Sequence, residues 1–402
     1  MDFKKLRNLA DKNEVRIDNH RGHKRSPPHY YLLQETFLFY FQTFISKNES
    51  YDFYASATST DKRKAMEILE RQFLDIENTV FCLISFERFF ELFIKDFLKE
   101  THIHLIHQLN NRSYQRPNRA PRNTFEIIEA IRSDNFIAFK DDRNRYLTIP
   151  FREARKRFYE LIAYSKDPTK KTDYYVKKFS EKISAFPFLA DANVEANFEF
   201  INWYRDRILH LGNKLPRMRF LDFIITQRVI PLINQILKSD TRIPVEWKYF
   251  TETVGGFKIL EEMEKVKFEV RNLKSIKKIN ETFYSLLYLA HLKELGRANL
   301  NMNHAVRNNR AINEYNYRDS KGRGKRFATI EQSNFPESQI MKCPCCNEEA
   351  LVRYQEKLEN YWGSGKTLLI QWVKCYTCDY HIRNNVFDLN LFNNQFEKIF
   401  DY

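Results

Sequence analysis

Residues 86–98 read Phe86-Glu-Arg-Phe-Phe-Glu-Leu-Phe-Ile-Lys-Asp-Phe-Leu98, and this stretch decides the fold class. Its phenylalanines recur in steps of four and three, which keeps one face of an α-helix apolar. The same spacing continues upstream, where Thr60 or Asp61 is a suitable N-cap. The positions that share this face are Leu69, Phe73, Ile76, Val80, Leu83, Phe86, Phe90, Phe93 and Phe97. The stretch predicts a long core helix in a mainly α protein.

The composition also favours packed helices. The 402 residues include only 9 Gly and 12 Pro, against 35 Phe and 22 Tyr, and 29% of them are charged. A chain of this length is expected to form two or three domains. It contains no uncharged run of about 18 residues, and Met1–Lys5 leads into no apolar signal region. We therefore expect a cytoplasmic protein without a membrane partner.

Changes in composition divide the chain into four predicted regions. Residues 1–58 form a basic arm, interrupted by Pro27-Pro28, and an aromatic helix. Residues 59–240 form a helical bundle, and 241–335 form a helical extension that ends in an Arg- and Asn-rich linker at Asn308–Arg326. Residues 336–402 change to short β-like runs between cysteines, followed by a tail.

Periodicity and turn residues place further elements within the bundle. A helix is predicted over Ala192–Leu211, where Gly212-Asn213 supplies a left-handed stop. Another helix is expected over Phe220–Leu237, with a kink at Pro231. A short helix is also predicted over Phe125–Ile131 and an extended segment over Tyr146–Pro150.

The charge of the chain points to a polyanionic partner. The 66 Lys+Arg against 52 Asp+Glu leave a formal net charge of +14. Such an excess creates a long-range field that concentrates nucleic acid at the surface. Scattered solvated lysines or an anionic membrane would account for the same balance, so charge alone does not choose among these partners.

Four cysteines have the spacing of a zinc site. Two C-x-x-C pairs, Cys343/Cys346 and Cys375/Cys378, are separated by 28 residues. Each pair can form a knuckle that points two thiolates at one tetrahedral metal ion, and Asn347 and Asp379 tolerate the left-handed conformation that such a turn needs. Ala350–Tyr354 and Thr367–Val373 alternate like the strands of a hairpin between the pairs.

These features resemble a zinc ribbon. With four thiolates no coordination position stays open, so we expect one structural Zn²⁺ per chain and no catalytic metal. Cys345 and His381 are alternative ligands, and the competing interpretation is a redox dithiol or a set of unrelated thiols. The sequence Gly363-Ser-Gly-Lys-Thr367 is predicted to be a hairpin turn, because a phosphate-binding loop would need a glycine at Asn360.

An arginine and a histidine form the candidate catalytic motif. Arg205, Asp206 and His210 stand in the last turns of the predicted helix Ala192–Leu211. Arg205 lies at the edge of the apolar face and needs an anion, which Glu87, Glu91 or a substrate phosphate could supply. Asp206 and the helix C-terminus would favour protonated His210. The alternative is a helix-end histidine in a salt-bridged network.

The long helix at residues 86–98, the segment Asn123–Glu129 and the motif Arg205-Asp206-x-x-x-His210 resemble the HEPN superfamily of helical bundles. The resemblance covers residues 60–240, and its signature is R-x(4-6)-H with a polar residue, often Asn, after the arginine. Asp206 departs mildly from that pattern. Arg297 and His304 also match the bare spacing, either by coincidence or as part of a second bundle.

The resemblance implies a HEPN-like bundle with additional helices and a small C-terminal β zinc ribbon. It implies a metal-independent endoribonuclease of toxin or anti-phage defence systems, with RNA as substrate and a homodimer that forms a composite site. His210 would be the acid or base, and Arg205 would stabilise phosphoryl charge. A protein trigger or antitoxin is a further expected partner. The competing classes are a non-enzymatic nucleic-acid-binding protein and a module whose ribbon recognises a protein.

Overall fold

The computed structural model describes most of the chain between residues 28 and 383. The described ranges are 28–43, 75–114, 120–141, 144–211, 215–243, 258–268, 270, 275–308, 322–359 and 366–383.

Helices dominate these residues, and a small antiparallel sheet lies near the C-terminus. The helices are α1 (Pro28–Phe41), α2 (Ile76–Thr101), α3 (Thr124–Arg132), α4 (Phe151–Lys166), α5 (Tyr174–Ile183), α6 (Ala192–Leu211), α7 (Met218–Ile224), α8 (Ile230–Ser239), α9 (Ile259–Lys265), α10 (Ile276–Asn308) and α11 (Arg323–Asn334). The strands are β1 (Gln339–Met341), β2 (Leu351–Glu359), β3 (Lys366–Cys375) and β4 (His381–Arg383), paired in that order. The predicted fold class, mainly α with a small C-terminal β element, is confirmed.

The ends of several helices follow from their capping residues. In α2 the carboxylate of Asp75 accepts the backbone N–H of Asn78 at 2.9 Å, so the described helix begins there. The predicted cap at Thr60 or Asp61 lies outside the described residues. Helix α6 has the predicted bounds, while its expected stop at Gly212-Asn213 also lies outside them.

Two prolines lie where the regular helix begins or is interrupted. Pro28 is the first residue of α1, where a missing N–H costs nothing because the first turn has no acceptor for it, and the predicted break at residues 21–27 lies outside the described residues. Pro231 follows a π-helical turn at Ile225–Val229, which separates α7 from α8. The N–H of Ile230 there donates to the carbonyl of Ile225, so the widened turn accommodates the proline.

The same apolar stretch is the one part of the described chain with the length and hydropathy of a membrane span. It runs over Met218–Ser239, and 67% of its most apolar window is buried inside the protein. This is the burial of a core helix.

The chain divides into two compact units that are interleaved in sequence. Unit 1 comprises Met1–Leu33, Glu87–Asp191 and Asp240–Pro244, and unit 2 comprises Gln34–Phe86, Ala192–Ser239 and Val245–Tyr402. Helices α1 and α2 therefore contribute residues to both units. The four regions predicted from the sequence, with boundaries after residues 58, 240 and 335, are each continuous in sequence, unlike these two units. They stay predictions.

Unit 1 combines an aromatic core with a buried polar cluster. Phe93 and Phe97 make edge-to-face contacts with Phe186, with ring centroids 5.9 and 5.2 Å apart. The hydroxyl of Tyr30 donates to Asp240 at 2.6 Å, and Arg242 donates to both carboxylate oxygens of Asp240. These contacts join segments about 210 residues apart in sequence.

Unit 2 contains a fully buried ion pair. The Nζ of Lys293 lies 2.6 Å from Oδ1 of Asp222, and each side chain is 1% exposed. Lys293 also donates to the Thr43 hydroxyl at 3.0 Å, and the Tyr40 hydroxyl donates to Asp222 at 3.1 Å. Helices α1, α7 and α10 are thereby joined by one polar network.

Substitution of Lys293 by methionine is expected to destabilise the protein by about 3–5 kcal/mol, because it leaves the Asp222 carboxylate buried without its cation. The double variant Lys293→Met/Asp222→Leu should recover much of this loss. Lys265→Met, which removes a solvent-exposed ion pair with Glu262, is the control and should unfold like the wild type. Chemical denaturation measures all three, and an unchanged midpoint for Lys293→Met would contradict the prediction.

Candidate metal centre and candidate catalytic motif

The two cysteine pairs form two knuckles of similar geometry. The backbone N–H of Cys345 lies 3.4 Å from Sγ of Cys343, and the N–H of Thr377 lies 3.4 Å from Sγ of Cys375. Each turn closes through a residue with positive φ, Asn347 at 61° and Asp379 at 58°. The predicted left-handed positions are confirmed, and these turns aim the thiol groups of both pairs at one another.

The four sulfur atoms form a cluster that could hold a metal ion. The Sγ atoms of Cys343, Cys346, Cys375 and Cys378 all lie within 4.8 Å of one another. Cys343 and Cys378 are 3.5 Å apart, and Cys346 and Cys375 are 3.6 Å apart. A tetrahedral ion with metal–sulfur distances of about 2.3 Å separates its ligands by about 3.8 Å, so the donor set fits such an ion. Cys345 and His381 are not members of this cluster.

The sheet explains how residues so far apart in sequence meet. Strands β2 and β3 pair antiparallel from Leu351↔Cys375 to Glu359↔Lys366, so the chain returns to the first knuckle at the end of β3. This is the hairpin that the alternating runs predicted. Lys366 and Thr367 belong to β3, and the other residues of the Gly-Ser-Gly-Lys-Thr segment lie outside the described residues.

Helix α10 holds the second knuckle. Arg297 donates to the backbone carbonyl of Asp379 at 2.5 Å, and the N–H of His381 donates to Glu294 at 2.8 Å. Between them, the Tyr380 hydroxyl lies 3.1 Å from Nδ1 of His291, whose burial lowers its pKa to about 3. Arg297, one half of the second R-x-H match, thus braces the knuckle, while the side chain of His304 lies outside the described residues.

Helix α11 packs closely on the second knuckle and on Ala350, the residue before β2. Gly324 faces Thr377 of the second knuckle and Ala350 after the first, and a Cβ at Gly324 would overlap the Thr377 hydroxyl. Ala328, one turn later, is fully buried in the same contact region. The Arg and Gly content of residues 323–326 predicts a linker, which is wrong for these residues: they are helical, and the missing side chain of Gly324 permits this close packing.

The candidate catalytic motif lies on the C-terminal half of α6. Arg205 donates to the Asp206 carboxylate at 2.6 Å, and Asn202 donates to its other oxygen at 3.3 Å. His210 is exposed in the last turn, and its ring makes no hydrogen bond or ion pair with any other residue in the described ranges. The expected Asp206–His210 charge pair is therefore replaced by Arg205–Asp206.

Two large apolar residues near this motif are partly exposed. Trp203 and Leu209 are each 50% exposed. The guanidinium of Arg207 lies over the Trp203 ring at 5.3 Å. At about 100° per residue, Trp203 and Arg207 project to the side of His210, and Leu209 projects to the side of Arg205.

The two predicted supporting carboxylates lie on α2. Glu91 is paired with Arg88 at 2.6 Å and with Lys95, and these hydrogen bonds lower its pKa although burial opposes the shift. Glu87 is 1% exposed. Both belong to unit 1 and Arg205 belongs to unit 2, so the predicted support of Arg205 stays a prediction.

A histidine cluster in unit 1 was missed by the sequence reasoning. His102, His104 and His107 surround the 3₁₀ turn Ile103–Ile106, and Nδ1 of His104 lies 3.0 Å from Nδ1 of His107. Burial, followed by repulsion from His104, lowers the pKa of His107 to about 4. The spacing H-x-H-x-x-H in 102–107 is the signal that could have identified it.

Comparison of the chain with models of protein families, with curated proteins and with solved structures finds no match.

Proposed function

We propose that this protein is a metal-independent endoribonuclease of the HEPN type that carries a structural Zn²⁺ in a C-terminal ribbon. The observation that supports it most is the environment of His210. An exposed imidazole without a partner in the described residues follows one turn after the Arg205–Asp206 pair. An acid–base group needs this access to substrate, whereas a structural histidine is expected to be engaged.

The chemistry follows from these side chains. One imidazole takes the proton of the ribose 2'-hydroxyl as the 2'-oxygen attacks phosphorus, and an acid protonates the leaving 5'-oxygen as its bond to phosphorus breaks. Arg205 stabilises the charge on the phosphoryl oxygens. The products are a 2',3'-cyclic phosphate and a 5'-hydroxyl, so DNA is not a substrate.

The helix geometry favours a composite site. Residues five apart on an α-helix project about 140° apart, so Arg205 and His210 of one chain do not face the same phosphate easily. Trp203 and Leu209, both half exposed, project to different sides of the helix, so two copies that meet through this end of α6 would bring the Arg205 of one copy to the His210 of the other. A homodimer, held inactive by an antitoxin or released by a trigger in a cytoplasmic defence system, is the biological form that we propose.

Incubation of the purified protein with RNA in EDTA tests this proposal. The four-cysteine ion does not take part in the chemistry, so cleavage should proceed during short exposure to the chelator and leave 2',3'-cyclic ends. A DNA oligonucleotide of the same sequence is the control and should stay intact. Unchanged RNA, under conditions in which it is bound, would favour the binding protein described next.

A second function, nucleic-acid binding without catalysis, is favoured by the outer face of α11. Arg323, Arg326, Phe327 and Ile330 are exposed along this helix, and the guanidinium of Arg323 lies 6.0 Å from the Phe327 ring centroid. Phosphates pair with such arginines and unpaired bases stack on aromatic rings. Helix α11 would then hold RNA for either function.

Binding through this face should weaken steeply as salt rises. The expected log–log slope is about −0.7 per phosphate contacted on a single strand and about −0.9 on duplex DNA. Arg326→Glu should reduce affinity and the slope, and Phe327→Ala should reduce affinity without changing the slope. Thr329→Ala, an exposed residue of the same helix, is the control. An affinity that does not change with salt would point to a protein partner.

A further inference from the structure

Two imidazole rings in unit 1 present their nitrogens to each other. Nδ1 of His104 and Nδ1 of His107 are 3.0 Å apart. Residues three apart in a 3₁₀ turn lie on the same side, and the N–H of His107 closes the turn by donating to the carbonyl of His104 at 3.1 Å. The backbone therefore imposes the approach of the two rings.

Neighbouring side chains hold both rings in place. Phe136 stacks on His104 with centroids 5.0 Å apart, and Tyr146 stacks on His107 at 4.7 Å. Below the turn, the buried guanidinium of Arg157 donates to the carbonyls of Leu105 and His107 at 3.0 and 3.1 Å. The rings of His104 and His107 therefore have little conformational freedom to lose when a ligand binds. A preorganised site requires this.

The distance between the nitrogens is that of a hydrogen bond between the two rings, and it is also compatible with two adjacent ligands of one ion. With metal–nitrogen distances of about 2.1 Å, a separation of 3.0 Å subtends about 90° at the ion. This is the angle between adjacent ligands in octahedral or square-planar complexes. A tetrahedral ion would separate the same atoms by about 3.4 Å. Imidazole ligands with square geometry are typical of Ni²⁺ and Cu²⁺.

We propose that His104 and His107 bind a divalent transition-metal ion of the Ni²⁺ or Cu²⁺ type through their Nδ1 atoms. No third Cys, His, Asp or Glu joins them among the described residues, so water or a bound anion completes the coordination. His102 is a capping residue instead, because its Nδ1 accepts the backbone N–H of His104 at 3.2 Å. The site is independent of the four-thiolate cluster and of the proposed ribonuclease activity.

Calorimetric titration of the full-length protein, loaded with Zn²⁺ beforehand, with NiCl₂ tests the proposal. One Ni²⁺ per chain should bind. His104→Ala should lower the affinity about tenfold or more, since even changes around metal ligands have effects of that size. His102→Asn keeps a side-chain acceptor for the turn and should bind Ni²⁺ like the wild type.

Absorption spectra distinguish the two metal sites. Weak d–d bands of nitrogen and oxygen coordination are expected, whereas intense sulfur-to-nickel charge transfer would mean that Ni²⁺ had replaced the ion at the cysteines, and the assignment would be overturned. The proposal would also be overturned if Ni²⁺ bound to His104→Ala as it binds to the wild type, or if it did not bind to the wild type. The contact between His104 and His107 would then be a hydrogen bond between two imidazole rings. His104→Gln, checked by circular dichroism, substitutes if His104→Ala does not fold.

Discussion

Replacement of His210 by alanine is expected to lower RNA cleavage by about 10²-fold or more, the usual effect of removing an acid–base group. The fold should be unaffected, because the ring is exposed and makes no polar contact within the described chain. Arg205→Ala should have a similar effect through loss of charge stabilisation on the phosphoryl oxygens. Single-turnover cleavage of a labelled RNA in EDTA measures both, and filter binding verifies that RNA is still held.

Arg207→Ala is the matched control for these variants. It removes a cation from the same helix, two residues after Arg205, and its interactions among the described residues are with the Trp203 ring and, electrostatically, with Tyr204. Cleavage should stay within a few-fold of wild type. If His210→Ala and Arg205→Ala both cleaved at the wild-type rate, the motif would be structural and the binding function would be preferred.

A mixture of the two inactive variants tests the composite site separately. If Arg205 of one copy acts with His210 of the other, a heterodimer of Arg205→Ala and His210→Ala chains retains one site with both side chains. Part of the activity should then return on mixing. A mixture that stays inactive, although heterodimers form, would assign both residues to a site within one chain.

Substitution of Cys375 by serine is expected to unfold the ribbon while the helical part of the chain persists. Cys375 is fully buried, its N–H donates to Tyr380, and it lies 3.6 Å from Cys346. Metal binding at four-ligand sites supplies about 10–16 kcal/mol in zinc-finger peptides, far more than so small a sheet can replace. Cys343→Ser should behave in the same way.

Metal analysis and circular dichroism measure this effect. The wild type should contain one Zn²⁺ per chain, and Cys375→Ser much less, with loss of ribbon signals and retention of helical ellipticity. Cys345→Ser is the control, since Cys345 lies outside the four-sulfur cluster and its backbone N–H, which approaches Sγ of Cys343, is kept in the variant. A freshly purified wild type with far less than one metal ion per chain would contradict the assignment.

Features encoded over short distances could be predicted from the sequence. The C-x-x-C spacing, with Asn347 and Asp379 after each pair, is sufficient to specify two knuckles because the turn geometry is local. The bounds of α6 follow from its apolar spacing in the same way. The start of the helix at 323–334 could not be predicted, because its Gly and Arg content is typical of a linker. The reason for Gly324 is its close contact with Thr377, which is distant in sequence.

The features that could not be predicted depend on contacts between residues far apart in sequence. Nothing in the local pattern indicates that α1 shares its residues between two units, or that Arg297 braces a knuckle 82 residues downstream. The histidine cluster was missed for another reason. The approach of His104 to His107 depends on a 3₁₀ turn, and the Tyr146 ring that holds it comes from a separate segment.

The polar network of Thr43, Asp222 and Lys293 also affects how the chain folds during its synthesis. Thr43 lies 250 residues before its partner Lys293. At about 5–20 residues per second, a ribosome needs roughly 10–50 s to synthesise that interval. During this time α10, whose Gly296 lies against the Phe41 ring, has not been made, so part of the aromatic face of α1 stays uncovered, and such exposed apolar surface favours aggregation. A ribosome-bound chain that ends before residue 293 should therefore remain protease-sensitive in this region.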